Sequence, residues 1–349
     1  MGTEASARPT LAAVAARAGV SVSTASLAFS GAGPVSDATR DKVLAAAAAL
    51  DYAGPDPRAR SLRQGRSGII AVVMEDRLRD AFRDPMNVAL LDGIADEAGV
   101  GGVGLLLLTD HGTGDSGVSV APMDAVVLVG CGTRLDDSVA TLRRRGIPMV
   151  AVEAEHMDGV LAIDLDNRAA TRVAAQHLKD LGHVRVAVVT LPIDAGKSAG
   201  ALPAERETSG TGFTALERLR GARDVYPLLG GWVASGSSIE EGIAAGLALL
   251  EVDPPTAVIA QSDLLAVGVI RAAEQLGMRV PDDVSVVGFD GIRADIVPYD
   301  LTTMVQPGVE KGRAAGRAIL ELLAGGTPKS VGFTSVFHAG NTTAGPRVG

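Results

Sequence analysis

Residues 10–27 read TLAAVAARAGVSVSTASL, and the stretch divides at Gly19. Thr10 is placed to N-cap a helix over Leu11–Ala18, because its hydroxyl can accept from a free amide of the first turn. Gly19 stops that helix. Ser21 caps a second helix, Val22–Phe29, ended by Ser30-Gly31-Ala32-Gly33-Pro34. Between them Gly19 tolerates positive φ, and Ala13, Val14, Val20 and Ala25 are small enough for close helix contact. This is the pattern of a helix–turn–helix, whose second helix enters the DNA major groove by its N-terminal residues. Here those are Val22, Ser23, Ser26 and Leu27, with Ser21 and Thr24 placed for phosphate and Thr10 at the head of the first helix. An ordinary helical bundle shows the same spacing, so charge has to help decide.

The whole chain has 349 residues and a net charge of −9, which alone argues against a nucleic-acid partner. The charge is unevenly spread. Residues 1–67 hold eight Lys/Arg against five Asp/Glu, a net of +3, and the remainder holds 24 against 36, a net of −12. Ser36 and Asp37 open a third helix carrying Val43, Leu44 and Leu50. The breaker stretch Tyr52–Pro57 follows, and then the basic segment Arg58–Arg66. A basic helical head therefore precedes an acidic body.

From Ser67 onward, short apolar runs alternate with helical stretches. Ile69–Val73, Gly104–Leu108, Ala125–Val129, Met149–Val152, Val184–Val189, Ala257–Ala260 and Val284–Phe289 read as strands. Val88–Ala98, Ser138–Arg145, Arg168–Leu181, Phe213–Arg220, Glu240–Leu250, Leu264–Leu276 and Val309–Leu323 read as helices. Such alternation predicts parallel, doubly wound α/β sheets, in two halves. Ile193–Thr211 has no periodicity and reads as a long loop. Ligands bind beyond the carboxyl ends of such strands, where Glu75, Asp76, Asp110, Glu153, Thr190, Asp263 and Asp290 stand.

Several chemistries are set aside. The single Cys131 excludes a disulfide framework or a Cys-rich metal site. Gly99–Gly104 fits G-x-G-x-x-G but follows a helix and precedes a strand, the reverse of a dinucleotide fingerprint. Gly196-Lys197-Ser198-Ala199-Gly200 fits the hydrolase elbow, yet Pro192 and Pro203 interrupt its approach and exit. The five His show no metal spacing. We expect no cofactor, no metal and no catalysis. With no apolar run near the roughly 18 residues of a membrane span and no signal-peptide core, we expect a cytoplasmic protein.

Residues 10–26 resemble the head of the lactose/galactose-repressor (LacI/GalR) family of bacterial transcription regulators. Val35–Val43 is similar to that family's third helix, and Ala59-Arg60-Ser61-Leu62-Arg63 to its hinge helix. The likeness continues through Gly182-His183, Pro255–Val258, Ser262-Asp263, Val280–Asp290 and Leu301-Thr302-Thr303. It implies an all-α helix–turn–helix head over residues 1–55, a hinge helix over 56–66, and a core over 67–349. That core is two-lobed and periplasmic-binding-protein-like, one lobe formed by about 67–165 with 292–325, the other by about 166–291 with 326–349. It further implies a homodimeric, effector-controlled repressor on a pseudo-palindromic operator, with Leu62 wedged into the minor groove and Arg60, Ser61 and Arg63 beside it.

For the effector, a small sugar-like molecule, the resemblance points to Asp263 and Glu153. It also points to the segment Asp84-Pro85-Met86-Asn87, with Glu75 and Asp290 at neighbouring strand ends. The family places Arg where this chain has Ser209, and Arg206 offers a substitute. Trp232 either stacks on a sugar face or plugs the core. The chain also departs from the family at Leu27, where Arg is common, so its operator should differ. The alternatives are a solute-binding protein, which the basic head opposes, and a hydrolase using Ser198.

Overall fold

The computed structural model describes residues 9–30, 33–55, 65–74, 82–109, 117–130, 136–194, 196–203, 208–292 and 299–347. The chain forms two compact units, 1–67 and 68–349, each treated by itself.

In the first unit, α1 spans Leu11–Ala18, α2 Val22–Ser30 and α3 Asp37–Ala49. The Thr10 hydroxyl accepts from Ala13 N, and Gly19 closes α1 in the left-handed region at φ 69°. From α1 to α2 the axis turns by 102°, the angle of a helix–turn–helix. The core is built of small residues, namely Val14, Ala15, Ala25, Ala28, Val43, Ala46 and Ala47. Phe29 meets Tyr52 edge-on, with ring centroids 5.7 Å apart, and closes one side.

The second unit contains two sheets. The first is ordered β12-β5-β4-β3-β1-β2 and is parallel throughout. Its strands are β1 Ile69–Met74, β2 Gly104–Thr109, β3 Ala125–Val129, β4 Met149–Val152, β5 Leu161–Leu165 and β12 Val331–Phe333. The second is ordered β13-β11-β10-β9-β6-β8-β7, from β6 Val186–Thr190, β7 Gly200–Ala201, β8 Gly230–Val233, β9 Ala257–Ala260, β10 Ser285–Asp290, β11 Thr302–Val305 and β13 Val336–His338. Only β7 and β13, at its edges, run antiparallel. Central strands such as β3 and β10 are buried along nearly their whole length, as parallel strands covered on both faces must be.

On the first sheet lie α4 (Pro85–Gly101), α5 (Gly117–Val120), α6 (Asp136–Arg144) and α11 (Gly308–Leu323). On the second lie α7 (Asn167–Asp180), α8 (Phe213–Arg223), α9 (Ile239–Leu250) and α10 (Asp263–Gln275). Helices α4 and α11 touch backbone to backbone: a Cβ on Gly93 would stand 2.1 Å from Val309 O, and one on Gly312 2.1 Å from Leu90 O. Among the described residues, no single helix is long and apolar enough to cross a membrane.

The expected lobe division needs correction at two places. The stretch from 299 stays with the second lobe until Val305, because β11 pairs with β10 (Val287 beside Thr302) and buries Leu301 and Met304 there. The chain returns to the first lobe only at Gln306–Gly308. Likewise β12 belongs to the first sheet, beside β5, so the last crossing falls near Ser335 rather than 326. That crossing is tied to the one at Asp166, whose Oδ1 accepts from Ser335 N and Oγ at 2.9 and 3.0 Å. The 193–211 loop contains the short β7. Gly102 is the left-handed C-cap of α4, and Gly196–Gly200 runs from a turn into β7, so neither glycine motif has its catalytic context.

Candidate functional site: the helical head and the interlobe cavity

In the head, the N-terminal face of α2 is open to solvent. Val22 is 50% exposed and Leu27 38%, with Ser23 exposed and Ser26 half-buried. The Ser21 hydroxyl accepts from Thr24 N at 3.1 Å and meets the Thr24 hydroxyl at 2.8 Å, so this pair caps the helix. Helix α2 carries no charged side chain. Arg60, Ser61, Leu62 and Arg63 lie outside the described residues.

Between the two lobes of the core lies a cavity of about 210 Å³. The N-terminus of α4 contributes Asp84, Met86 and Asn87, and the ends of β4 and β10 contribute Glu153 and Asp290. Asp84 also N-caps α4, its carboxylate accepting from Met86 N at 2.9 Å. The sequence did not single out Arg218 of α8, Lys311 of α11 or Gln306 of the crossover, and all three line this cavity.

These side chains form a ring that spans the lobes. Lys311 Nζ donates to both Glu153 Oε1 and Gln306 Oε1. Gln306 Nε2 donates to Asp290 Oδ1 at 2.6 Å. Arg218 stands 3.7 Å from both Glu153 and Asp290, donates through Nε to Asn167 Oδ1 at 2.8 Å, and lies 3.6 Å over the Phe289 ring. Asn167 Nδ2 donates to Glu153 Oε2 at 3.0 Å, and the Thr214 hydroxyl donates to Glu153 O at 3.1 Å. Glu153 thus links the first lobe to α7 and α8 of the second. It does so from a left-handed backbone at φ 53°, a conformation that costs a non-glycine residue about 1–3 kcal/mol and persists only when its surroundings hold it.

The two carboxyls of the ring are driven in opposite directions. Burial pushes Glu153 up, but Lys311 and Arg218 outweigh it and hold the carboxyl below its ordinary value. Burial pushes Asp290 well above its ordinary value, against Arg218, and Asp84 and Asp263 add to the rise. Buried charge that is paired and hydrogen-bonded in this way leaves a mixed surface of donors and acceptors, suited to a small molecule with several hydroxyls.

Other expected effector residues fall elsewhere. Asp263 is fully buried and does not line the cavity. Ser262 takes the N-cap of α10, which turns the Asp263 carboxylate inward. There it accepts from Gly291 N, Ile292 N and the Thr303 hydroxyl at 2.8, 2.7 and 2.6 Å. It braces β10 and β11 from outside the cavity wall. Trp232 packs against the second-lobe core from β8, its indole Nε1 buried without an acceptor among the described residues, so it plugs. Ser209 is exposed and off the cavity wall, and Thr190 is wholly buried away from it. The cavity's arginine comes instead from α8. Glu75, Asp76, Asp110 and Arg206 lie outside the described residues.

The signal for Arg218 and Lys311 was present in the sequence. Each occupies an apolar helix face, Arg218 among Ala215, Leu219 and Ala222, and Lys311 among Gly308, Ala315 and Ile319. A cation there must find an internal partner.

Residues 10–54 match the model of bacterial regulatory proteins of the lacI family, and residues 175–335 that of periplasmic binding protein-like domains. The HTH-type transcriptional regulator IpsA of Corynebacterium glutamicum is 32% identical, over 96% of this chain and 97% of its own. The chain belongs to the lacI family. It is a DNA-binding transcription regulator whose core has the periplasmic-binding-protein fold. The solved complex of the transcriptional regulator CelR with cellobiose is 26% identical, with a TM-score of 0.64 over 96% of this chain and 100% of that one. The lac repressor dimer bound to operator and the anti-inducer ONPF shares the fold, at 22% identity and a TM-score of 0.74 over 97% and 100% of the two chains.

Proposed function

We propose that this lacI-family protein is a homodimeric repressor that binds a pseudo-palindromic operator and is released, or tightened, by a sugar-like effector held between its lobes. The observation that carries the reading is the interlobe cavity, whose Glu153–Arg218–Asp290 face belongs to both lobes at once. A ligand whose hydroxyls exchange with these bonds has different contacts in different lobe arrangements, and such differential binding is what shifts a conformational equilibrium. The effector set is Asp84, Met86, Asn87, Glu153 and Asp290 with Arg218, Lys311 and Gln306. Met86 and Asn87 give shape and an amide to a molecule whose polar groups meet the ring. The CelR–cellobiose complex supports a carbohydrate as the class, and the operator-bound lac repressor dimer supports the two-headed arrangement. Thr10, Ser21 and Thr24 serve phosphates, Val22, Ser23, Ser26 and Leu27 face bases, and Leu62 wedges into the minor groove between Arg60 and Arg63.

The test is calorimetric titration of full-length protein with a panel of mono- and disaccharides that includes cellobiose. The result expected is saturable binding by at least one sugar, weakened at least tenfold by Asn87→Ala. Equal heats for wild type and variant with every sugar would overturn the assignment.

A further inference from the structure

Helix α2 is unusual among base-reading helices in what it lacks. Its residues, VSTASLAFS, include no Arg, Lys, Asn, Gln, Asp or Glu. The bidentate contacts that distinguish guanine, adenine and cytosine edges need those side chains. The Ser21 and Thr24 hydroxyls are tied together in the helix cap. What remains on the open face is Val22 in the same row as Ser26, and Ser23 in the same row as Leu27. The head buries Ala25 and Ala28 of α2 and packs Phe29 half-buried against its core, yet leaves Val22 and Leu27 open to solvent. The Leu27 side chain lies beside Gly33, where an added Cβ would come 3.2 Å from its Cδ2. In the major groove only one natural base presents an apolar group, the thymine 5-methyl.

We propose that the head reads its operator through thymine 5-methyl groups, with Val22 and Leu27 as the specificity-determining residues and Ser23 and Ser26 as adaptable hydroxyl contacts. This rests on α2 being the groove-reading helix of a DNA-binding regulator. The basic charge of the head supplies affinity that does not depend on sequence, and the two alkyl side chains supply discrimination.

The experiment starts from a pool of random-sequence duplexes, from which full-length protein selects its sites. The winning duplex is then resynthesised with deoxyuridine in place of each thymidine in turn, which removes one methyl and nothing else. Removing a contacted methyl should weaken binding about fourfold, the worth of one buried methylene-sized group. At one or two positions per half-site this loss appears with wild type and disappears with Leu27→Ala or Val22→Ala, while Leu27→Met keeps it. Selection repeated with Leu27→Arg should replace a thymine with guanine at the Leu27 position. If every uracil is tolerated, or the alanine variants lose the same factor as wild type, methyl reading is overturned while DNA binding stands. If no sequence is enriched at all, the DNA-reading role of α2 falls, and the methyl proposal with it.

Discussion

Lys311 Nζ is buried between Glu153 Oε1 and Gln306 Oε1, joining the end of β4 to the crossover that returns the chain to the first lobe. The lysine is 1% exposed. A buried ammonium needs protein partners for its charge, so its two acceptors define it, and it in turn helps hold the Glu153 carboxyl low. The interlobe wall is built around this pair.

Removing the cation should therefore cost more than removing both partners. Lys311→Met leaves the buried Glu153 carboxylate with Arg218 and Asn167 alone and should lower core stability by about 3 kcal/mol. The double variant Lys311→Met with Glu153→Gln should recover much of that. Urea unfolding followed through Trp232, the chain's only tryptophan, measures both; a double variant as unstable as the single one would refute the pairing.

The two ring carboxyls should respond to pH with opposite signs. Asp290, raised by burial, favours its protonated form in the fold, so its contribution is full in acid and is lost as pH rises through its raised value. Glu153, held low by Lys311 and Arg218 against its burial, contributes above the usual carboxylate range, and that is lost as pH falls through its lowered value. Asp290→Asn should flatten the fall on the alkaline side and Glu153→Gln the fall on the acid side. Unfolding free energies between pH 3 and 9 give the answer, and the reverse assignment would contradict this electrostatic account.

Asp263→Ala removes the acceptor of three buried groups, namely Gly291 N, Ile292 N and the Thr303 hydroxyl. Leaving buried donors unmatched should destabilise the core by about 2 kcal/mol. Any sugar affinity that survives in the folded fraction should be unchanged, since Asp263 is off the cavity wall. Loss of sugar binding without loss of stability would restore Asp263 as a ligand group.

Gly93→Ala forces a Cβ to 2.1 Å from Val309 O, where backbone cannot yield cheaply. The α4–α11 contact should open at a cost of about 1–3 kcal/mol. Because α4 carries Met86 and Asn87, sugar affinity should fall with it. Thermal unfolding and titration on the same preparation test the two effects together.

Local signals made much of this readable in the sequence. Thr10, Gly19, Ser21 and Ser36 mark helix ends by capping chemistry that acts over a few residues. The apolar runs of β3, β4 and β9 are buried on both faces and stand out for that reason. Strands β5, β8 and β11 did not, because Asp164, the Gly230-Gly231 pair and the Thr302-Thr303 pair interrupt their apolar pattern. What recruits them is pairing with a neighbour far away in sequence. The site divided in the same way. Glu153 follows from its strand-end position, and Asp84 and Asn87 from the family resemblance alone, whereas Asp263 stands at a strand end with its carboxylate turned off the cavity wall. Its orientation depends on Ser262 taking the cap and on Gly288, where any Cβ would meet its Oδ1 at 2.0 Å. Arg218 and Lys311 signal themselves as cations on apolar helix faces, but their partners, on other elements, are not legible locally.

The most direct test of the whole account is fluorescence anisotropy of the full-length protein on duplex DNA from its own upstream region, across a salt series, with and without the saccharide panel. The account predicts tight binding that falls steeply as salt rises, a marked loss in Leu62→Ala, and a shift in affinity of about 5- to 150-fold, the usual range of allosteric coupling, with at least one sugar. Equal affinity for random-sequence duplex at every salt concentration, unmoved by any sugar, would contradict it.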